Sequence, residues 1–245
     1  MWCRILAQPV RPIAELLGVT KFPGKYNILA TILPEERLSV VDILDSFIVI
    51  EGLDGAGTTT QAALLARRLQ ETGHSVLSTS EPTRGEIGRL IREILSGRVS
   101  TTPEALAMLY AADRYEHLYG SGPSITASLE QSIVVCDRYV FSSLAYQTVQ
   151  CDYSLVYELN RRYPLPRHLI YLDVPPEMTE TRRRGRSQAE IFENLDFQRA
   201  VYERYESALA DYADAGIIIH RVDGSVSPQD ISDDIWKRLS IPPIN

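Results

Sequence analysis

Glycines and threonines are concentrated in one short segment of the chain. Residues 52–57 contain three glycines, and residues 58–60 are three consecutive threonines. Four apolar residues, 47–50, precede this segment, and an amphipathic helical pattern follows it. Strand, glycine-rich loop and helix in this order form a cradle in which backbone N–H groups and the positive end of the helix bind phosphate. We therefore expect phosphates at Gly52, Leu53, Asp54, Gly55, Ala56, Gly57, Thr58, Thr59 and Thr60.

One residue of this loop departs from the standard phosphate-binding pattern. The pattern G-x-x-x-x-G-K-[ST] has lysine after its second glycine, whereas Thr58 follows Gly57 in this chain. A lysine on the β- and γ-phosphates supplies a charge-assisted contact of about 1.5–3 kcal/mol. Because the glycines are kept, we expect the backbone cradle to form without the lysine.

The rest of the chain alternates predicted strands with predicted helices. Besides residues 47–50, short apolar runs predict strands at residues 75–79, 133–136, 168–174 and 216–222. Helical spacing of apolar residues predicts helices at residues 59–72, 87–95, 102–118 and 227–239. This alternation predicts a P-loop NTPase-type three-layer α/β fold, a parallel sheet of about five strands with helices on both faces.

The composition excludes several classes of protein. A net charge of −7 does not favour duplex nucleic acid or an anionic membrane as a partner, and no apolar run reaches 18 residues. We therefore expect neither nucleic acid nor membrane as a partner. Cys3, Cys136 and Cys151 lack C-x-x-C spacing, which argues against a disulfide or zinc framework and for a cytoplasmic location.

Residues 1–45 show no clear pattern. Four prolines in this segment break any long helix, and its apolar stretch is too weak for a confident signal peptide. Three interpretations remain open: a poorly ordered extension, a start codon placed upstream of the true one, and a targeting or docking arm. We assign the folded domain to residues 46–245.

Polar residues follow the predicted strands at their carboxyl ends, where parallel sheets bind their ligands. Glu81 follows the second strand, and Asp137 and Arg138 follow the third. An acidic residue that ends a buried strand near a phosphate loop commonly binds Mg²⁺, directly or through water. We expect a Mg²⁺ site at Asp137 and Thr59, and the alternative is a surface ion pair between Asp137 and Arg138.

Six segments of the chain together resemble the thymidylate kinase family, whose members phosphorylate dTMP with ATP. In family order they are EGLDGAG at 51–57, EPTRGEIGRLIR at 81–92, LYAADR at 109–114, DRYVFSSLAYQ at 137–147, YLDVPPE at 171–177 and LDFQRAVYERY at 195–205. A glycine-rich loop alone is weak evidence for a family, but six segments in the same order are strong evidence. The resemblance covers residues 46–239.

The resemblance implies how the thymine base is recognised. Tyr110 would stack on the ring, because a flat apolar face suits a flat base, although a core tyrosine is the alternative. Arg114 would donate hydrogen bonds to the thymine carbonyl edge, and Ser143 would read the same edge. Glu81 belongs to the same set of residues around dTMP.

The resemblance also implies how the sugar and phosphate of dTMP are held. Arg138 would bind the phosphate through its fork of donors. Tyr146 would pack near C2′ of the sugar and disfavour a ribonucleotide hydroxyl. Asp54 of the phosphate loop would accept a hydrogen bond from the 3′-hydroxyl.

Four arginines, Arg182, Arg183, Arg184 and Arg186, follow the fourth predicted strand. The resemblance identifies this segment as the lid over ATP, where arginines reach the transferring phosphate, while a solvated basic face is the alternative. Family members carry a catalytic arginine either in the P-loop or in the lid. Because Gly55 occupies the P-loop position, the chain resembles the lid-arginine type, with Arg182, Arg184, Arg186 and Asp137 as the catalytic candidates.

Three residues depart from the family pattern. Thr58 replaces the P-loop lysine, and Ser80 replaces an arginine that often precedes Glu-Pro, with Arg84 close enough to substitute. Ile191 stands where many lid-arginine members carry a second arginine. Only 3 of the 25 basic residues are lysines, and residues 47–235 contain none.

The missing lysine leaves two hypotheses. In the first, lid arginines replace its charge and the protein is an active kinase that makes dTDP from dTMP and ATP for dTTP synthesis. In the second, the protein is a catalytically impaired nucleotide binder. The complete acceptor set favours the first, and a kinase for another nucleotide or nucleoside is a further alternative. The resemblance also implies a homodimer, which apolar faces at residues 90–94 and 106–110 could support unless they belong to the core.

Overall fold

A computed structural model describes residues 42–183 and 194–244 of the chain. The interpretations of residues 1–41 lie outside the described residues. The predicted lid residues Arg184 and Arg186, and the departure at Ile191, also lie outside them.

Five parallel strands form one sheet in the described part of the chain. They are β1 (Ile43–Gly52), β2 (Val76–Ser80), β3 (Ile133–Asp137), β4 (Leu165–Asp173) and β5 (Ile218–Asp223). The strand order is β2-β3-β1-β4-β5, and β1 pairs with both β3 and β4 at the centre of the sheet. This arrangement confirms the predicted fold class.

Helices connect the strands, and several of them begin at a residue whose side chain caps the first turn. They are α1 (Thr58–Glu71), α2 (Glu86–Leu95), α3 (Pro103–Tyr119), α4 (Ile125–Ser128), α5 (Val140–Tyr146), α6 (Tyr153–Asn160), α7 (Pro176–Arg183), α8 (Leu195–Asp211) and α9 (Pro228–Leu239). The Thr102 side chain accepts a hydrogen bond from the backbone N–H of Ala105, and Pro103 occupies the first turn of α3. None of the helices in the described ranges is long and apolar enough to cross a membrane.

The central strand is buried on both faces. Phe47 and Val49 belong to the hydrophobic cluster on one side of the sheet, and Ile48 and Ile50 belong to the cluster on the other side. All four side chains are at most 1% exposed. A parallel strand covered by helices on both faces therefore appears in the sequence as an uninterrupted apolar run.

The strand β1 begins earlier than the predicted domain boundary at residue 46. Ile43 and Leu44 already pair with the start of β4, and the pairing register then shifts before Ile48. The apolar pattern did not reveal this part of the strand, because Asp45 and Ser46 are exposed and interrupt it. The pairing of distant strands therefore extends the folded domain to Ile43.

The topology brings three loops to one edge of the sheet. In the register of the sheet, Asp137 at the end of β3 lies opposite Ser80 of β2 and Ile50 of β1. The loops that follow β1, β2 and β3 therefore emerge side by side. They carry the phosphate loop, Glu81 and Arg138, so the predicted site residues of these loops are neighbours.

Candidate active site

The loop between β1 and α1 offers backbone donors to an anion. Gly57 has a φ of 103°, a left-handed conformation that favours glycine. A Cβ atom at Gly52 would lie 3.1 Å from the carbonyl oxygen of Leu172, so glycine lets the loop pack closely against β4. The helix α1 begins at Thr58, and no side chain caps its N-terminus. Its first N–H groups, which have no partner within the helix, are therefore available to phosphate.

Thr58 occupies the position of the missing lysine. It is the first residue of α1 and only 5% exposed. Across the described ranges the one lysine is Lys237, which is exposed in the last turn of α9. Apart from the backbone N–H groups, positive charge at this loop must come from arginine or from residues outside those ranges.

Thr59 and Asp137 meet beside the loop. The Thr59 hydroxyl donates to Oδ2 of Asp137 over 2.5 Å. The other carboxylate oxygen, Oδ1, is buried and has no hydrogen-bond partner among the described residues. No cluster of three or more metal-ligating side chains occurs in that part of the chain, so a cation here would depend on phosphate and water oxygens. One carboxylate, one hydroxyl and such oxygens suit Mg²⁺, which keeps much of its hydration shell.

Arg138 links the phosphate loop to the loop after β3. Its guanidinium donates to the Asp54 carboxylate over 2.6 Å and to the carbonyl oxygen of Gly52 over 3.0 Å. The residue has a φ of 72°, which is unusual for a side chain with a Cβ atom. The contacts of the guanidinium hold this conformation and place its charge between the two loops.

A cavity of about 300 Å³ adjoins Arg138, and we call it the acceptor cavity after the predicted residues that line it. This volume lies at the lower end of the range for small-molecule sites. The cavity is lined by eight of the predicted site residues: Asp54, Glu81, Tyr110, Arg114, Asp137, Arg138, Ser143 and Tyr146. The structure therefore brings together the whole predicted acceptor set.

Arg114 is the most deeply buried cation of this cavity, at 1% exposure. Its guanidinium donates to the Ser143 hydroxyl over 3.1 Å, to the Glu81 carboxylate over 2.9 Å and to the side-chain oxygen of Asn160. The contact with Ser143 places the two residues predicted to read the thymine edge side by side. An ion pair with Glu81 balances the buried charge of Arg114.

Both oxygens of the Glu81 carboxylate are engaged within the protein. One accepts from Arg114, and the other lies 3.1 Å from Nδ1 of His117, whose Nε2 lies 2.7 Å from the Thr79 hydroxyl. Glu81 therefore lines the cavity, but its contacts orient Arg114 and leave it little capacity to bind a ligand directly.

Tyr146 closes the side of the cavity that faces the phosphate loop. Its hydroxyl accepts a hydrogen bond from the backbone N–H of Asp54 over 2.9 Å, and its ring lies 5.2 Å below the Arg138 guanidinium. Burial and then the nearby Asp54 carboxylate raise the pKa of Tyr146, so its hydroxyl stays protonated. The ring is thereby fixed against the loop.

The predicted lid begins in α7. Arg182 donates to the carbonyl oxygen of Gly224 over 3.0 Å and lies 3.5 Å from that of Ser225, in the loop after β5. It does not line the 300 Å³ cavity. The structure thus places Arg182 against the β5–α9 loop and not among the acceptor residues.

A larger cavity of about 770 Å³ adjoins the acceptor cavity along β2. Its lining includes Thr59, Arg84 and Asp137. Arg84, the predicted substitute for the arginine missing at Ser80, therefore shares this cavity with the Thr59–Asp137 pair.

Sequence reasoning missed several polar residues of the acceptor cavity, among them Gln147, Arg92 and Ser142. Gln147 is buried, and its side-chain Oε1 has no hydrogen-bond partner in the part of the chain that the structure describes. Arg92 lines the cavity from α2 and donates to the carbonyl oxygen of Pro82. All three lie inside segments that carried the resemblance, and their polar character was the only available signal.

The fold and site define a class of protein. A parallel sheet with a phosphate loop after its central strand, and an acceptor cavity beside that loop, is the arrangement of a P-loop nucleotide kinase.

Comparison with known proteins identifies the family. The family described as thymidylate kinase matches residues 50–235, so the chain belongs to the thymidylate kinase family. A protein of Treponema pallidum, provisionally named a thymidylate kinase, is 46% identical over 168 residues, which are 68% of this chain and 80% of the relative. Similarly named proteins of Methanococcus aeolicus and Pyrococcus abyssi are 44% and 41% identical, over 66% and 65% of this chain and 78% and 80% of their own lengths. The predicted resemblance is confirmed.

Substitution of Gly57 by alanine should separate backbone strain from phosphate binding. Gly57 and Gly97 both have left-handed φ values, 103° and 73°, and a Cβ atom at either position would meet no other atom within 4 Å. Each alanine variant should therefore lose about 1–2 kcal/mol of unfolding free energy. At Gly57 the open space is the phosphate cradle, so only Gly57→Ala should also weaken ATP binding, measured by titration calorimetry. Equal ATP affinities in the two variants would contradict this role of the loop.

Proposed function

We propose that the protein transfers the γ-phosphoryl group of ATP to dTMP and so produces dTDP and ADP for dTTP synthesis. The observation that carries this proposal is the 2.6 Å contact between Asp54 of the phosphate loop and Arg138 of the acceptor cavity. It brings a triphosphate cradle and an acceptor-phosphate ligand to adjacent positions, as direct in-line transfer requires. Family membership supports this function over a kinase for another nucleotide and over an impaired homologue.

The base of dTMP is proposed to lie between Tyr110 and the buried end of the cavity. Arg114 and Ser143 would bond its carbonyl edge. Gln147 presents a buried amide with an unpaired oxygen in the same cavity, which suits the N–H of a pyrimidine. A site of buried polar groups discriminates strongly, because a wrong base leaves those groups unpaired.

The phosphate and sugar of dTMP are proposed to lie toward the phosphate loop. Arg138 would hold the phosphate and face the transferred group. Asp54 would accept from the 3′-hydroxyl, and Tyr146 would exclude a 2′-hydroxyl. The hydrogen bond between Tyr146 and the Asp54 backbone supports this role, since it keeps the ring in place.

The phosphates of ATP are proposed to bind the N–H groups of the loop and of the first turn of α1. Thr59 and Asp137 would hold Mg²⁺, in part through water. Mg²⁺ would neutralise charge on the phosphate oxygens.

The free thiols of Cys136 and Cys151 support a cytoplasmic location.

Lid arginines are proposed to replace the missing lysine. Arg182 has its guanidinium on backbone carbonyls of the β5–α9 loop, which suits an anchor for the lid helix. Arg184 and Arg186 lie outside the described residues and are proposed to face the phosphates. Each preorganised transition-state contact of this kind is worth about 10²–10³ in rate.

A coupled assay with ATP and Mg²⁺ tests the reaction. The purified protein should turn over dTMP faster than dCMP, because the predicted contacts with the carbonyl edge suit thymine and not the amino group of cytosine. Comparison with dUMP, which has the same carbonyl edge, shows whether the methyl group of thymine is also recognised. Faster turnover of another monophosphate would support the alternative kinase. ATP binding without turnover of any monophosphate would support the impaired homologue and contradict the proposed function.

Restoration of the lysine tests the proposed compensation. The Thr58→Lys variant should show kcat within a few fold of the wild type, or lower, because lid arginines already supply the charge. Gln70→Lys adds the same charge at an exposed position in the last turn of α1, away from the phosphate loop, and serves as the matched control. A gain of about 10² or more in kcat for Thr58→Lys alone would mean that no compensation exists.

We further propose that the protein is a homodimer that associates through α3. Leu106 and Ile94, from the two faces first considered, are buried in the core. By contrast, Met108, Tyr115 and Tyr119 are 50%, 60% and 46% exposed. Their helical spacing forms an apolar stripe that a second copy of the chain would cover.

A charge in this stripe should separate the two copies. In size-exclusion chromatography with light scattering, the wild type should have twice the mass of the chain, and Met108→Glu should shift toward the monomer. Ile218→Glu places the same charge at an exposed apolar residue of β5, 45% exposed, and should remain dimeric. A monomeric wild type, or a fully dimeric Met108→Glu variant, would contradict the proposed interface.

A further inference from the structure

Glu51 is a buried acid that the proposed reaction does not use. It lies in β1 directly before the phosphate loop and has no exposed surface. It does not line either of the two cavities described above. A carboxylate in such a position is costly unless protein donors replace its water, so its partners indicate its role.

One oxygen of this carboxylate caps α5. Oε1 accepts hydrogen bonds from the backbone N–H groups of Tyr139 over 2.8 Å and of Ser142 over 3.1 Å. Tyr139 is the N-cap residue of α5, and its own side chain makes no capping bond. Glu51, which lies in β1, therefore provides the hydrogen-bond acceptor for the N–H groups at the start of α5. Because α5 carries Ser143 and Tyr146, this contact sets the position of both relative to the phosphate loop.

The other oxygen reaches α8. Oε2 accepts from the Ser142 hydroxyl over 2.5 Å and from the Tyr205 hydroxyl over 2.9 Å. The Tyr205 hydroxyl also lies 3.1 Å from the carbonyl oxygen of Gly52. The single carboxylate thus joins the central strand, the acceptor helix α5 and the helix α8.

The partners of Glu51 are also partners of Arg138. The Arg138 guanidinium lies 3.2 Å from the Ser142 hydroxyl, 3.5 Å from the Tyr205 hydroxyl and 3.0 Å from the carbonyl oxygen of Gly52. Two of these three groups are bonded to Glu51. Burial raises the pKa of Glu51, and the charge of Arg138 is the main influence in the opposite direction. The carboxylate therefore lies behind the guanidinium as its buried counter-charge.

We propose that Glu51 is a positioning residue that holds Arg138 for the phosphate of the acceptor nucleotide through Ser142 and Tyr205. The inference rests on the proposed function in that Arg138 is taken as the phosphate ligand. It gives a reason for the left-handed backbone of Arg138, since the shared hydrogen bonds require the guanidinium to point back toward β1.

Equilibrium binding of dTMP and thymidine tests this role without any need for turnover. The two ligands differ only in the phosphate, so the ratio of their affinities reports the Arg138 contact. Glu51→Gln keeps the size of the side chain and removes its charge. We expect it to weaken dTMP binding on the order of tenfold while thymidine binding stays within about twofold. Equal losses for both ligands, or no loss for dTMP, would overturn the proposal.

A double-mutant cycle shows whether Glu51 acts through Arg138. The loss of dTMP affinity in Glu51→Gln combined with Arg138→Lys should be smaller than the product of the two single losses. Asp113→Asn is the matched control, because Asp113 is a buried acid of α3 that bonds Thr83 instead. The losses of dTMP affinity caused by Asp113→Asn and by Arg138→Lys should multiply in the double variant. A fully multiplicative cycle for Glu51 would overturn the positioning role.

Tyr205→Phe provides the same test if Glu51→Gln does not fold. It removes one hydroxyl from the network and keeps the ring, which packs against Tyr146 and Tyr171. We expect a selective loss of dTMP affinity of about threefold, and an unchanged ratio to thymidine would count against the proposal. A wild type that binds dTMP more tightly than thymidine but shows no turnover would reject the proposed reaction and leave the positioning role intact.

Discussion

The guanidinium of Arg138 lies where the two halves of the site meet. It contacts Asp54 and the Gly52 carbonyl oxygen of the phosphate loop, and it borders the acceptor cavity. A partly buried cation is held by several partners, because a charge that loses water without gaining them is costly. The left-handed backbone of this residue and the Glu51 network behind it follow from that requirement. This one charge thus joins the phosphate loop to the cavity beside it.

The helix α3 organises the opposite wall of the cavity. Asp113 accepts from the backbone N–H and the hydroxyl of Thr83, while Arg114 and His117 both contact Glu81. These contacts fix the loop after β2 to the helix that carries Tyr110 and Arg114. His117 lies three positions after Arg114 and four after Asp113, and residues at these spacings lie on one helix face. One short stretch of α3 therefore supplies all three contacts with the loop. The proposed base contacts and the exposed apolar stripe therefore belong to the same helix.

Thr58 changes how charge is distributed around the phosphate loop. The backbone geometry of the loop does not depend on lysine, since the left-handed Gly57 and the uncapped start of α1 are both present. What is lost is a single mobile cation. In the described ranges the cation bonded to the loop by its side chain is Arg138, which also serves the acceptor cavity. The requirement for further positive charge thus falls on segments that approach the loop from elsewhere in the fold.

The sequence was sufficient for the features that depend on neighbouring residues. Glycine spacing predicted the phosphate loop, apolar runs predicted the strands, and six local segments identified the family. The direct contact of Glu81 with dTMP stays a prediction, and its contacts with Arg114 and His117 give it an orienting role. Strand limits were less accurate, as at Ile43, because they depend on pairing with β4.

Only the tertiary structure decided which distant groups share a hydrogen bond. Asp54 and Arg138 are 84 positions apart in the chain, and Glu51 and Tyr205 are 154 apart. No local pattern encodes such pairs, because a buried polar atom accepts any suitable donor that packing brings within about 3 Å. The same holds for Gln147, whose unpaired oxygen is visible only once its surroundings are known. The sequence by itself thus determined the loop, the fold class and the family, whereas packing determined the network that holds Arg138.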